Sequence, residues 1–159
     1  MSKREMCGLK NNMWMKFYMC AFLHKTTGRK LYKFGITKFM DVLKRFSKEE
    51  SIRYGRDPDQ YDDFEISCLA SYVCTGGAKQ AVALERQYLG SDGKYPKGNF
   101  IVETALNEQF GKYSNMSGVT ELRYLTPQQA FEAGQSIRDM VDSLQAEHKV
   151  EKRMIYEQN

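Results

Sequence analysis

The chain has 159 residues and a mass of 18.5 kDa, with 42% hydrophobic and 28% charged residues. That is enough for one domain with a core, and the balance excludes a disordered chain. Apolar runs of only a few residues exclude a bilayer-spanning segment and give no reason to expect a secretion signal after Met1–Glu5. Cys7, Cys20, Cys68 and Cys74 show no Cys-x-x-Cys spacing, and His24 and His148 complete no zinc-finger pattern. Reduced thiols in a cytoplasmic protein are therefore expected.

The formal charge of +4 is unevenly spread. Residues 1–56 carry 14 Lys/Arg against 4 Asp/Glu, and the remainder carries 10 against 16. A basic face built by the first third predicts a polyanionic partner. The competing reading is that the two parts fold together and their charges mix on a neutral surface.

In chain order, residues 1–12 are polar, without periodicity, and read as a tail. The segment 14–23 (WMKFYMCAFL) is apolar at nearly every position, as expected of a strand covered on both faces. A turn over 24–29 containing Gly28 leads into a second strand over 31–37 (LYKFGIT), so the two form an antiparallel hairpin. Phe39, Val42, Leu43 and Phe46 recur at helical spacing and predict a first helix over 39–50, with Thr37 and Asp41 as candidate caps. After the break at 55–59 a third strand is expected over 64–73 (FEISCLASYV). A helix follows over 78–89, presenting Ala81, Leu84 and Tyr88 on one side. Residues 90–100 read as a loop, 102–112 as a short helix, 114–118 as a loop and 121–125 as a candidate short strand. Thr126-Pro127-Gln128-Gln129 starts a last helix reaching about residue 156. Its positions Ala130, Ile137, Val141 and Leu144 lie on a heptad-like seam, a candidate homodimer contact, with Gly134 allowing close approach. The expected fold is α/β (α+β): a small, three-stranded, mainly antiparallel sheet flanked by helices over 13–125, with an additional C-terminal helix over 126–159.

Polar residues interrupt these apolar elements at particular places: Tyr18 in the first strand, Lys33 beside Gly35 in the second, Arg45 on the first helix and Glu85 on the second. Lys16-Phe17-Tyr18 and Lys33-Phe34-Gly35-Ile36-Thr37, followed by Arg45 and then Glu85, resemble the motifs of the GIY-YIG nuclease superfamily. The lysine in place of the second tyrosine resembles the phage-enriched branch with a KIG-T…R signature, and Gly118–Tyr124 resembles its closing Glu-aromatic segment. The resemblance covers roughly residues 13–125. It implies a DNA endonuclease dependent on Mg²⁺ or Mn²⁺, acting in the host cytoplasm if phage-encoded. Glu85 is implied as metal ligand, Arg45 as phosphate stabiliser, Tyr18 as general base, and Lys33 as the group that orients the phenolate and water or contacts phosphate. Hard carboxylate oxygen suits Mg²⁺, and a guanidinium offers two N–H donors to a phosphate. A phenol with an ordinary pKa of about 10 must be lowered to act as a base, and Lys33, Arg45 and the metal carry charge of the right sign.

Each of these residues also has a structural reading: Tyr18 as core, Lys33 as a strand-edge residue, Arg45 as part of a solvated helix face and Glu85-Arg86 as a surface pair. The sequence departs from the motifs too. Lys16 stands where the first motif has glycine, and Glu49 stands four residues after Arg45, where many members have His or Tyr. Asn99 is a candidate for the asparagine that commonly follows the glutamate. Lys3, Arg4, Lys10, Lys25, Arg29, Lys30, Lys38, Lys44 and Lys48 are candidate phosphate contacts as a group. His24 reads as part of a solvated hairpin tip. Two alternatives stay open: a DNA-binding module of the same fold with weak or no cleavage, and a protein–protein adaptor using the last helix.

Overall fold

The computed structural model describes the backbone of residues 15–97, 113 and 115–157, and the side chains of these up to 147 and of Lys149. The tail over 1–12, Asn99, the helix expected over 102–112, and Lys3, Arg4 and Lys10 lie outside the described residues.

Strands β1 (Met15–His24) and β2 (Lys30–Thr37) form the expected antiparallel hairpin, with Tyr18 opposite Gly35 and Cys20 opposite Lys33. β3 (Phe64–Cys74) pairs antiparallel with the other side of β1. A two-residue strand β4 (Leu122–Arg123) pairs with Tyr32 and Lys33. The sheet is therefore four-stranded, in the order β3-β1-β2-β4, and not three-stranded as expected. β4 lies within the candidate short strand over 121–125, which the expected three-stranded sheet did not include. β4 is held by the buried Arg123 guanidinium, which donates from Nε to the Tyr95 carbonyl at 2.9 Å and from Nη1 to the Thr120 carbonyl at 2.6 Å.

β1 is covered on both faces. On one, Phe17, Met19, Ala21, Phe34 and Ile36 pack with α2 (Gly77–Leu89) through Ala81, Leu84 and Tyr88. The same face takes α3 (Pro127–Glu157) through Ala130, Ala133 and Ile137. On the other, Tyr18, Cys20, Phe22 and Leu31 meet Val42, Tyr61, Phe64, Tyr113, Met116, Val119 and Leu122. Burying each large apolar side chain contributes about 1.5–3 kcal/mol, so this two-sided strand is the keel of the domain.

The helix expected over 39–50 is two shorter pieces. A 3-10 turn spans Val42–Phe46, capped by Asp41, which accepts from the Leu43 N–H at 3.0 Å. Ser47 then adopts an extended conformation and caps α1 (Lys48–Arg53), accepting from the Glu50 N–H at 3.3 Å. α3 opens with the expected reciprocal cap: Thr126 Oγ1 accepts from the Gln129 N–H, and Gln129 Oε1 accepts from the Thr126 N–H. Ala130 and Ile137 of its seam are spent on the protein's own sheet, while Val141 and Leu144 are half-buried. Among the described residues no helix is long and apolar enough to cross a membrane.

Candidate functional site

β4 ends at Lys33, so the second half of β2 leaves a gap on that side of the sheet. A cleft of about 470 Å³ lies there, and Tyr18, Lys33, Arg45 and Glu85 all line it, with Glu50, Tyr54, Arg56 and Glu121. The four residues singled out in the sequence come from β1, β2, the 3-10 turn and α2, and the fold brings them to one wall.

The hairpin register places Tyr18 and Lys33 on the same face, diagonally across the two strands. Gly35, opposite Tyr18, lets them meet. A Cβ at position 35 would lie 2.5 Å from Tyr18 Oη and 2.8 Å from Lys33 Nζ. Gly118 clears the other side of the lysine, with a φ of +78° that disfavours other residues and a virtual Cβ 2.5 Å from Lys33 Cε. Between these two glycines Lys33 Nζ donates to Tyr18 Oη at 2.9 Å and to Glu121 Oε2 at 2.7 Å. The Phe46 ring lies beneath the ammonium, its centroid 5.7 Å away.

Glu121 belongs to the Gly118–Tyr124 motif, which by itself implies no site role for this carboxylate. The 3-10 turn Val119–Glu121, just ahead of β4, delivers its carboxylate, and the pairing of Leu122 with Lys33 fixes the approach. Glu50 gave no signal, because Lys48-Glu49-Glu50 reads as a solvated helix start. In the structure Glu50 is 1% exposed and faces the cleft, with Arg53 Nη1 at 3.5 Å from Oε1. Among the described residues neither of its carboxylate oxygens accepts a hydrogen bond. Glu49, expected one helical turn past Arg45, is exposed and away from the cleft. The break at Ser47 resets the helical phase, so the i, i+4 relation to Arg45 does not exist.

Arg45 sits half-buried on the 3-10 turn, close enough to act electrostatically on the Tyr18 phenol. Glu85 lies one turn after Ala81 and one before Leu89, on the flank of the buried stripe of α2, and lines the cleft. Lys16, at the position of the missing glycine, points elsewhere and donates to the Met40 carbonyl at 2.5 Å.

Opposing effects set the charges. Burial pushes the Tyr18 phenol up to about 12, although Lys33 and Arg45 pull it down. The net direction is the reverse of the lowering that a tyrosine base requires, because the ring is fully enclosed. For Lys33, burial disfavours the ammonium, but the Glu121 carboxylate and the Tyr18 hydroxyl outweigh it and hold the lysine charged. For Glu121, burial is overcome by neighbouring positive charge, the Lys33 ammonium first, which takes the carboxyl down to about 2. Glu85 is raised, first by burial and then by the Glu121 charge. A cation against Glu85 would relieve that strain.

His24 is buried and not part of a solvated tip. Its Nδ1 accepts from the Thr26 and Thr27 N–H groups at 3.3 and 3.2 Å, which leaves the proton on Nε2 facing Tyr113 Oη at 3.1 Å. Tyr113 in turn donates to Asp63, so the histidine anchors the hairpin. Lys25, Arg29, Lys30, Lys38 and Lys44 are exposed, whereas Lys48 pairs with Asp59 and Asp62. Among the described residues no group of three or more His, Cys, Asp or Glu side chains is placed to hold a metal ion. Compared with family models, curated proteins and solved structures, the chain matches none.

Proposed function

We propose that this chain is a divalent-metal-dependent DNA endonuclease of the GIY-YIG kind, hydrolysing phosphodiester bonds at the β2 cleft. The observation that carries the reading is the convergence of Tyr18, Lys33, Arg45 and Glu85 on one open cleft from four separate elements. The resemblance named these four from their order along the chain, and core packing alone gives no reason for a phenol, an ammonium, a guanidinium and a carboxylate to meet.

The residues fit Mg²⁺ or Mn²⁺ in one manner. Glu85 is a carboxylate on the wall of the cleft, which suits an ion that keeps most of its waters and shares phosphate oxygens. It does not suit a closed structural cage. Such an ion supplies charge against the phosphate and eases removal of a proton from water.

The chain's own groups do the rest. Arg45 binds the non-bridging oxygens of the scissile phosphate and gains strength as charge builds there. Lys33, held charged by Glu121, keeps its Nζ on the phenolic oxygen and stabilises any negative charge formed there. The Tyr18 phenolate takes a proton from the attacking water as the water oxygen bonds to phosphorus, the P–O3′ bond breaks, and the departing 3′-oxygen takes a proton from solvent. Only the phenolate can do this, so the rate rises with pH through the neutral range.

Supercoiled plasmid with Mg²⁺ or Mn²⁺ tests the assignment. Wild type nicks it, and Glu85→Ala and Arg45→Ala each lower the rate by about 10² or more. Nicking that survives both substitutions rejects the assigned site. The enclosure of Tyr18, 0% exposed, favours a second reading: a DNA-binding module of the same fold with weak or no cleavage. It predicts salt-sensitive DNA retention without metal-dependent nicks.

A further inference from the structure

Cys20 and Cys68 stand directly opposite each other on the antiparallel strands β1 and β3. The register shifts between Met19 and Cys20, so that Leu69 is the extra residue of a bulge beside the pair. Opposite residues of an antiparallel pair have Cα atoms about 4.5–5.5 Å apart, inside the range that a disulfide spans. Both thiols are free, Cys68 exposed and Cys20 buried, they are near enough to perturb each other's ionisation, and the Cys68 thiol donates to the Ala70 carbonyl at 3.6 Å. The expectation of inert reduced thiols, drawn from spacing along the chain, does not cover a pair that meets across strands.

We propose that Cys20 and Cys68 are a thiol modification site that a low-molecular-weight disulfide, such as oxidised glutathione, converts to a cross-strand disulfide. The geometry divides the labour. Cys68, at the surface, is the attacking sulfur: the neighbouring Cys20 thiol, despite some burial, brings it down to about 7, with the Lys16 ammonium assisting. Cys20 is pushed up by its Cys68 neighbour and by burial, so it keeps its proton until Cys68 has reacted.

In the first step the Cys68 thiolate bonds to one sulfur of oxidised glutathione, the glutathione S–S bond breaks, and one glutathione thiolate leaves and takes a proton. In the second step Cys20 gives up its proton and bonds to the Cys68 sulfur. The mixed disulfide breaks and the second glutathione leaves as a thiol. Two protein thiols are oxidised, one disulfide is reduced to two thiols, and both protons end on glutathione. The inference does not rest on the nuclease reading.

The test uses the full chain in a mixture of oxidised and reduced glutathione, quenched by alkylation and read by intact mass and a non-reducing peptide map. Chymotrypsin is required, because trypsin leaves Cys68 and Cys74 on one peptide while chymotrypsin cuts at Leu69 and Tyr72. Wild type loses two hydrogens, and the map joins the Cys20 and Cys68 peptides. Cys20→Ser stops at a single glutathione on Cys68, and Cys68→Ser forms no bridge from Cys20. Wild type that keeps both thiols free, retains glutathione on Cys68, or bridges Cys68 to Cys7 or Cys74 overturns the proposal, and this holds whether or not the variants fold.

Discussion

Glu121→Gln isolates the charge that keeps Lys33 in place. The Glu121 carboxyl is taken from its ordinary 4.5 down to about 2 by neighbouring positive charge, first the Lys33 ammonium 2.7 Å away. At about 1.4 kcal/mol per pH unit, that corresponds to about 3 kcal/mol of stability at neutral pH. Removing one partner of a buried pair costs about 3–5 kcal/mol in general. Glutamine still accepts a hydrogen bond, so the lower end applies. For a domain of this size the thermal midpoint at pH 7 falls by roughly 6–12 °C. The pH dependence gives the sharper check. A carboxyl lowered on folding stabilises fully above its unfolded value and loses that contribution as pH falls through its folded value. Wild type and Glu121→Gln therefore converge between pH 4.5 and about 2, the gap closing by about 1.4 kcal/mol per unit. Urea unfolding of both proteins across that range measures it. Equal stability at pH 7, or a gap as wide at pH 3 as at pH 7, refutes the account of the Tyr18–Lys33–Glu121 chain.

Gly35→Ala drives a methyl into Tyr18 Oη and Lys33 Nζ, so it costs about 1–3 kcal/mol in a thermal melt and abolishes nicking even where the protein stays folded. Because the Glu85 carboxyl is raised by burial and by Glu121, it is protonated as pH falls while still above the ordinary carboxylate range. Metal-stimulated nicking measured against pH drops on that acid side, and the drop moves to lower pH in Glu121→Gln. Tyr18→Phe removes the rise of rate with pH, read from single-turnover nicking at a series of pH values. DNA retention by wild type weakens linearly in log–log plots against salt, with a slope that falls in the double variant Arg29→Ala, Lys30→Ala if these exposed cations contact phosphate.

Much of the scaffold could be read from the chain. The hairpin, the stripe of Ala81, Leu84 and Tyr88, and the Thr126–Gln129 cap each rest on local patterns that tertiary packing reinforces. The break at Ser47 is also local: Ser47-Lys48-Glu49-Glu50 is a capping sequence, although the spacing of Phe39, Val42, Leu43 and Phe46 predicts a single helix through it. The break brings Glu50 rather than Glu49 to the cleft. The short strand expected over 121–125 is present as β4, but the role of Glu121 was not legible, since its ion pair with Lys33 spans 88 positions. The four candidate residues were named from motif order, and their meeting depends on register, on Gly35 and on where β4 stops. The protonation of Tyr18 was misjudged for a physical reason: sequence shows which charges are near in the chain but not how completely the ring is enclosed.

The most direct test of the central claim is the chemistry of the nick itself. Purified wild type and Glu85→Gln are incubated with supercoiled plasmid and Mg²⁺, and the products are treated with DNA ligase. Wild type is predicted to make nicks that ligase seals, as hydrolysis to a 5′-phosphate and a 3′-hydroxyl requires, and Glu85→Gln is predicted to make almost none. Intact plasmid with wild type, or nicks that Glu85→Gln makes equally well, would contradict the account.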